Sequence, residues 1–195
     1  MTVPCSATLL LNRLLDNNYL IDPVYCYSKG PSNKPFLTKG IYYSRKMMEL
    51  DYTGAAFLFM DHEIICLDLD RKKISTPTGL DLWYDCFDCE IPDGCTIVQS
   101  ANKNIHAWFR KNPKERYRFH IYLPRSTVTI NTLRGDSSQY ARQLILPGSR
   151  VLNRKGEVVE YKYLVGGAMK DFEDGKIDSL DFPEMPEEVK RVLAI

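Results

Sequence analysis

The stretch Ile64-Ile65-Cys66-Leu67-Asp68-Leu69-Asp70-Arg71-Lys72-Lys73 decides how the rest of the chain is read. Its first half is nearly unbroken apolar residues, the signature of a strand buried on both faces. Side chains alternate along a strand, so Asp68 and Asp70 project from one face, about 6.6 Å apart. Two carboxylates closing an apolar strand are costly unless something positive meets them. Hard divalent cations are one answer, because Mg²⁺ prefers carboxylate oxygens and keeps positions open for phosphates. Two such ions about 3.5–4 Å apart would clamp the attacking and leaving oxygens of a phosphoryl transfer. The competing reading is a strand that simply ends in solvent.

Strands also dominate the surroundings. Gly54 to Phe59 precedes the acidic strand, joined to it by a short Asp61-His62 turn. Thr96 to Gln99, Ile105 to Arg110, Arg118 to Leu123 and the stretches 128–133, 140–146 and 157–164 read as further strands, with turns at Gly135-Asp136 and Arg154-Lys155-Gly156. Helices are expected from Ser6 to about Asn17, with Leu10, Leu14 and Leu15 on one face, over 41–52, from Gly79 to Glu90, and over 186–193. Tyr19 to Pro35 reads as a polar connection. Helices early and strands late predict an α+β domain on a mostly antiparallel sheet with flanking helices. The domain is expected over 1–165, with 166–195 an acidic, loop-rich C-terminal extension that could lead to a further domain.

Length and composition bound the function classes. The 195 residues, 44% hydrophobic and 26% charged, suit one globular domain and exclude disordered and fibrous classes. With 26 basic and 25 acidic residues the net charge is +1, so a polyanion site must come from local clustering. No apolar run approaches the ~20 residues of a membrane span. Met1 to Arg13 reads poorly as a signal peptide. A cytoplasmic location is therefore expected, with the six cysteines reduced.

A second signal is Ser100-Ala101-Asn102-Lys103-Asn104-Ile105-His106-Ala107-Trp108-Phe109-Arg110. A polar loop delivers His106 onto a strand that leaves with Arg110. Such a histidine can donate to a nucleotide phosphate and an arginine can take one in its fork, although a lone strand histidine is commonly just a satisfied polar residue. His62 and His120 read as structural, His120 within the basic-aromatic run Arg116-Tyr117-Arg118-Phe119-His120. Cys86-x-x-Cys89 with Cys95 invites zinc, but no fourth ligand follows at a knuckle spacing, and packing in a helix is the favoured reading.

Taken in order, four segments resemble the primase-polymerase (prim-pol) domains of the archaeo-eukaryotic primase superfamily, found in phage and plasmid replication proteins. They are Lys34-Pro35-Phe36 with Gly40, the strands from Gly54 to Asp70 ending in Asp-x-Asp, Ser100 to Arg110, and Gln139 to Ser149 with its Leu146-Pro147-Gly148-Ser149 turn. Gly156 to Tyr161 fits the family's closing strand, and the likeness spans about residues 20–165. Two departures stand out. Lys103-Asn104 replaces the usual Gly-Gly before the histidine, and Thr132 falls where the third carboxylate belongs, with Asp136 the nearest alternative.

The resemblance implies a primase-like, RRM-like catalytic core and metal-dependent nucleotidyl transfer, the activity of a DNA primase or DNA polymerase. Asp68, Asp70 and either Asp136 or no third acid would hold Mg²⁺ or Mn²⁺. His106, with Arg110, Lys103 and Ser100, would bind the incoming nucleoside triphosphate. Lys72, Lys73, Arg116 and Arg118 would meet a single-stranded DNA template, with Arg71, Lys111 and Lys114 in the same basic clusters. A helicase module, in the same chain or another, is an expected partner. A catalytically degenerate DNA-binding initiator and a metal-dependent nuclease are the alternatives.

Overall fold

The computed structural model describes residues 7–19, 21–24, 55–59, 64–73, 75–100, 102–112, 114–131, 143–152 and 157–195. The expected helix over 41–52, the segment from Lys34 to Gly40, His62, Thr132 and Asp136 lie outside them.

In chain order the elements are α1 (Ala7–Asp16), β1 (Ile21–Val24), β2 (Ala55–Phe59), β3 (Ile64–Arg71), α2 (Asp81–Cys86), β4 (Thr96–Gln99), β5 (Ile105–Arg110), β6 (His120–Tyr122), β7 (Ser126–Asn131), β8 (Gln143–Ile145), β9 (Arg150–Leu152), β10 (Val158–Glu160), β11 (Lys162–Val165), α3 (Gly167–Glu173) and α4 (Glu187–Leu193). Six strands form one sheet in the order β11-β4-β5-β3-β7-β6, and every neighbouring pair in it is antiparallel. The chain is thus α+β on an antiparallel sheet, as its pattern of elements predicts.

The apolar strand β3 lies in the middle of that sheet with both faces covered. On one face Ile64 and Cys66, with Trp108 of β5, pack under Leu10, Leu11, Leu14 and Leu15 of α1 and Ala168, Met169 and Phe172 of α3. On the other, Ile65, Leu67 and Leu69 meet Leu82, Trp83 and Cys86 of α2 and Val189 and Leu193 of α4. Burying each such side chain contributes about 1.5–3 kcal/mol, which holds β3 firmly in place.

Several local expectations differ from what forms. β2 and β3 are consecutive strands but belong to separate sheets, since β2 pairs with β1 and β8. The helix expected from Gly79 to Glu90 is shortened to α2, because Phe87 turns extended (φ −136°, ψ 135°) to pack its buried ring 4.7 Å from Trp83. The strand expected over 157–164 splits at Tyr161, β10 pairing with β9 and β11 with β4.

Residues 166–195, read as an extension, belong to the core. Phe172, Leu180, Phe182, Met185, Val189 and Leu193 are all buried, and this segment supplies helices to both faces of the sheet. Thr96 on β4 fastens α3 in place: its hydroxyl donates to Gly166 O (2.8 Å) and accepts from Met169 N (3.0 Å). Gly167 starts this helix at φ +51°, and a Cβ there would collide with the carbonyl of Cys95. Both the left-handed backbone and the close approach require glycine. Gly167→Ala is therefore expected to lower unfolding stability by at least about 2 kcal/mol in urea titration, whereas Gly175→Ala, positive in φ but meeting only the Arg13 guanidinium at an ordinary 3.5 Å, costs less.

Candidate active site on the central strands

The face of the sheet under α1 and α3 changes character along β3. The strand itself presents Ile64 and Cys66 to this face, then Asp68 and Asp70. Register fixes their neighbours: Asp68 stands opposite His106 on β5 and Thr129 on β7, and Asp70 opposite Thr127. Directly opposed residues share a face. His106, Asp68 and Thr129 therefore form one polar row, which His120 extends on β6. The His120 ring nitrogen Nδ1 lies 2.8 Å from the Thr129 hydroxyl.

His106 Nε2 lies 3.5 Å from Asp68 Oδ1, with the imidazole buried and the carboxylate 26% exposed. The pair sits where the closed core gives way to an accessible surface. Burial pushes the His106 pKa from 6.5 down to about 4, outweighing the opposing pull of the Asp70 carboxylate. The ring is therefore neutral at pH 7 and carries one proton. Its Nδ1 is buried with no hydrogen-bond partner among the described residues. Tyr161 packs against it with ring centroids 5.8 Å apart. The Leu146-Pro147-Gly148-Ser149 turn holds Tyr161: Tyr161 N donates to Ser149 O (2.9 Å) and Gly148 N to Tyr161 O (2.6 Å).

The loop ahead of His106 closes over the acids. Ser100 N donates to Asn104 O (2.8 Å) and Lys103 N to Ser100 O (2.9 Å). Lys103 adopts φ +63°, the left-handed conformation glycine takes without cost. Lys103 thus keeps a glycine-like backbone while carrying an exposed ammonium. Asn104 does what glycine cannot. Its side-chain Nδ2 donates to Asp70 Oδ1, and its Oδ1 accepts from Arg71 N (3.2 Å), so the amide holds one carboxylate oxygen in place.

The remaining sequence-derived candidates divide. Ser100 is buried and serves the loop through its backbone. Lys72 donates to Leu123 O, while Lys73, Arg116 and Arg118 are exposed. Arg110 is not brought to the acids. It lies four residues along β5 from His106, about 14 Å away, and its guanidinium engages Glu184 (3.3 Å) and Asp181 (3.8 Å). Arg71 Nε donates to Thr76 O (3.0 Å). Cys86 and Cys95 are buried thiols, with pKa values pushed by burial to about 11 and about 12. Cys86 Sγ meets the Ser126 hydroxyl at 3.1 Å, consistent with packing rather than metal ligation.

Asn104, Thr127, Thr129 and Tyr161 join the site without having been singled out in the sequence. The alternation Thr127-Val128-Thr129-Ile130 carried the signal for two of them, since a period of two puts both threonines on the face opposite Val128 and Ile130.

As donors, Asp68 and Asp70 suit a hard cation, being carboxylates on one face with His106 beside them. Among the described residues, no group of three or more His, Cys, Asp or Glu side chains is arranged to hold a metal ion. No family model matches the chain, and neither the curated proteins nor the solved structures include a match.

The neutral His106 makes stability depend on pH. Between pH 6.5 and about 4 the unfolded chain binds a proton that the folded chain refuses, so its contribution is present above 6.5 and lost as pH falls through this window. In chemical denaturation from pH 7 to 4, wild type should therefore lose more stability than His106→Gln. Parallel pH profiles would show that His106 titrates normally.

Proposed function

We propose that this chain is a metal-dependent nucleotidyltransferase acting as a DNA primase or DNA polymerase in phage or plasmid replication. The observation that carries this reading is the polar row in which Asp68 faces His106 across the β3–β5 register, with Asp70 one step further along the same face. Three of the chemistry-bearing positions on which the family resemblance rests thereby lie together, at the accessible end of a strand whose other half is buried.

In this reading Asp68 and Asp70 hold Mg²⁺ or Mn²⁺, with Asp136 the candidate third ligand. Bound metal would lower the charge barrier to attack of a 3′-oxygen on the α-phosphorus and to departure of pyrophosphate. The chain's own groups supply position. His106 packs beside Asp68 and fixes where that carboxylate points. Asn104 restrains Asp70 by donating to one of its carboxylate oxygens.

Lys103, exposed on the loop beside Asn104, is the cation placed to meet a triphosphate, because Arg110 is committed to Glu184 and Asp181. Lys72 and Lys73 follow the acids directly and would face the template strand. Catalysis of this kind is positioning plus electrostatic stabilisation. A rigid sheet is a suitable platform for it.

Primer extension with Mg²⁺ or Mn²⁺ and labelled nucleotides tests the proposal. Asp68→Ala/Asp70→Ala should lose at least about 100-fold in rate while keeping the wild-type unfolding transition. Shortened rather than extended primers would indicate a nuclease. A folded wild type that binds template but never extends it would favour a degenerate DNA-binding initiator.

A further inference from the structure

The edge strand β6 exposes two aromatic rings on the same face as the acidic pair. Tyr122 is 74% exposed, an unusual state for a large ring that contributes nothing to the core from there. Register places it opposite Thr127, which is opposite Asp70, and places His120 opposite Thr129, which is opposite Asp68. Ile121 between them points the other way and is buried. Both rings therefore continue the polar rows that run through the candidate active site, two strands or about 10 Å from the carboxylates.

The rings are preorganised. Their centroids lie 4.5 Å apart at 75°, edge to face. His120 is held by the Thr129 hydroxyl, and Lys72 Nζ sits 5.1 Å from the Tyr122 centroid while donating to Leu123 O. Little conformational freedom remains to be lost when a flat ligand stacks there. Lys72 supplies a cation at the Tyr122 ring, and Lys73, which follows it in the chain, is exposed.

We infer that Tyr122 and His120, flanked by Lys72, form a base-stacking platform for single-stranded DNA approaching the acidic pair. Unpaired bases offer a π-face to any aromatic ring and their phosphates a charge to lysine, whereas duplex DNA hides its bases. Tyr84, an exposed ring at 49%, donates its hydroxyl to Glu90 and has no cation over it among the described residues, so it does not offer the same chemistry. The choice of DNA as occupant rests on the proposed function; the geometry of the platform does not.

Fluorescence anisotropy with a labelled oligo-dT strand, in EDTA and without nucleotides, separates the two. Tyr122→Ala should weaken binding about tenfold or more, and Tyr122→Phe should stay within about twofold of wild type. Lys72→Ala should reduce the slope of log K against log salt by about 0.7. Tyr122-dependent binding by a protein that never extends a primer would support the platform and count against the polymerase reading. Binding that ignores Tyr122→Ala, equal losses in the Ala and Phe variants, or no binding of oligo-dT by wild type would each overturn the platform, whatever the extension assay shows.

Discussion

The antiparallel register between β3 and β5 is the constraint on which the other features depend. Its six pairs run from Ile64↔Arg110 to Leu69↔Ile105, and sliding it by one residue would turn every core side chain of β3 to the opposite face. The apolar half makes such a slip prohibitive, because Ile65, Leu67 and Leu69 are fully buried against one layer of helices and Cys66 against the other. The polar half inherits that rigidity. Asp68 meets His106 because the residues two and four positions before it are locked into the core.

This arrangement carries a cost that its surroundings contain locally. A neutral imidazole and a carboxylate lie at the edge of a closed core, where unpaired polar groups are expensive. The row answers with neighbours of matching chemistry: threonine hydroxyls on β7, the Asn104 amide at Asp70, and the Tyr161 ring against His106. The loop 100–104, closed by its own backbone hydrogen bonds, reaches Asp70 through the Asn104 side chain, and the turn 146–149 holds Tyr161 against His106. Precision at the acids thus comes from strand register, and the loops adjust what surrounds them.

The C-terminal thirty residues show how composition misleads. Acidic and poor in continuous apolar runs, residues 166–195 read as an appendage, yet they bury Phe172, Phe182 and Leu193 and cover both faces of the sheet. Lys170 and Lys176 pair with Glu173, Asp171 and Asp174, so part of the acidic signal is local charge pairing around a short helix. Seven-residue α3 has too few turns for a clear periodic pattern. It forms because Thr96 and Gly167 anchor it to β4.

The sequence by itself determined the elements with strong local patterns. β4 and β5 stand where alternation and β-branched residues put them, β3 where its apolar run does, and the Asp-x-Asp pair falls on one face because strand side chains alternate. It also placed the Ser100–Arg110 loop ahead of a strand bearing His106. Only the tertiary structure decided which strands are neighbours, since pairing is a long-range choice among many compatible strands. Hence β2 and β3 separate into two sheets, Arg110 is drawn to Glu184 and Asp181, and Asn104 closes on Asp70. The row linking His106, Asp68, Thr129 and His120 is assembled from four strands spread over more than fifty residues. No local pattern encodes such a row, because its order is set by how the two apolar faces of the sheet are buried.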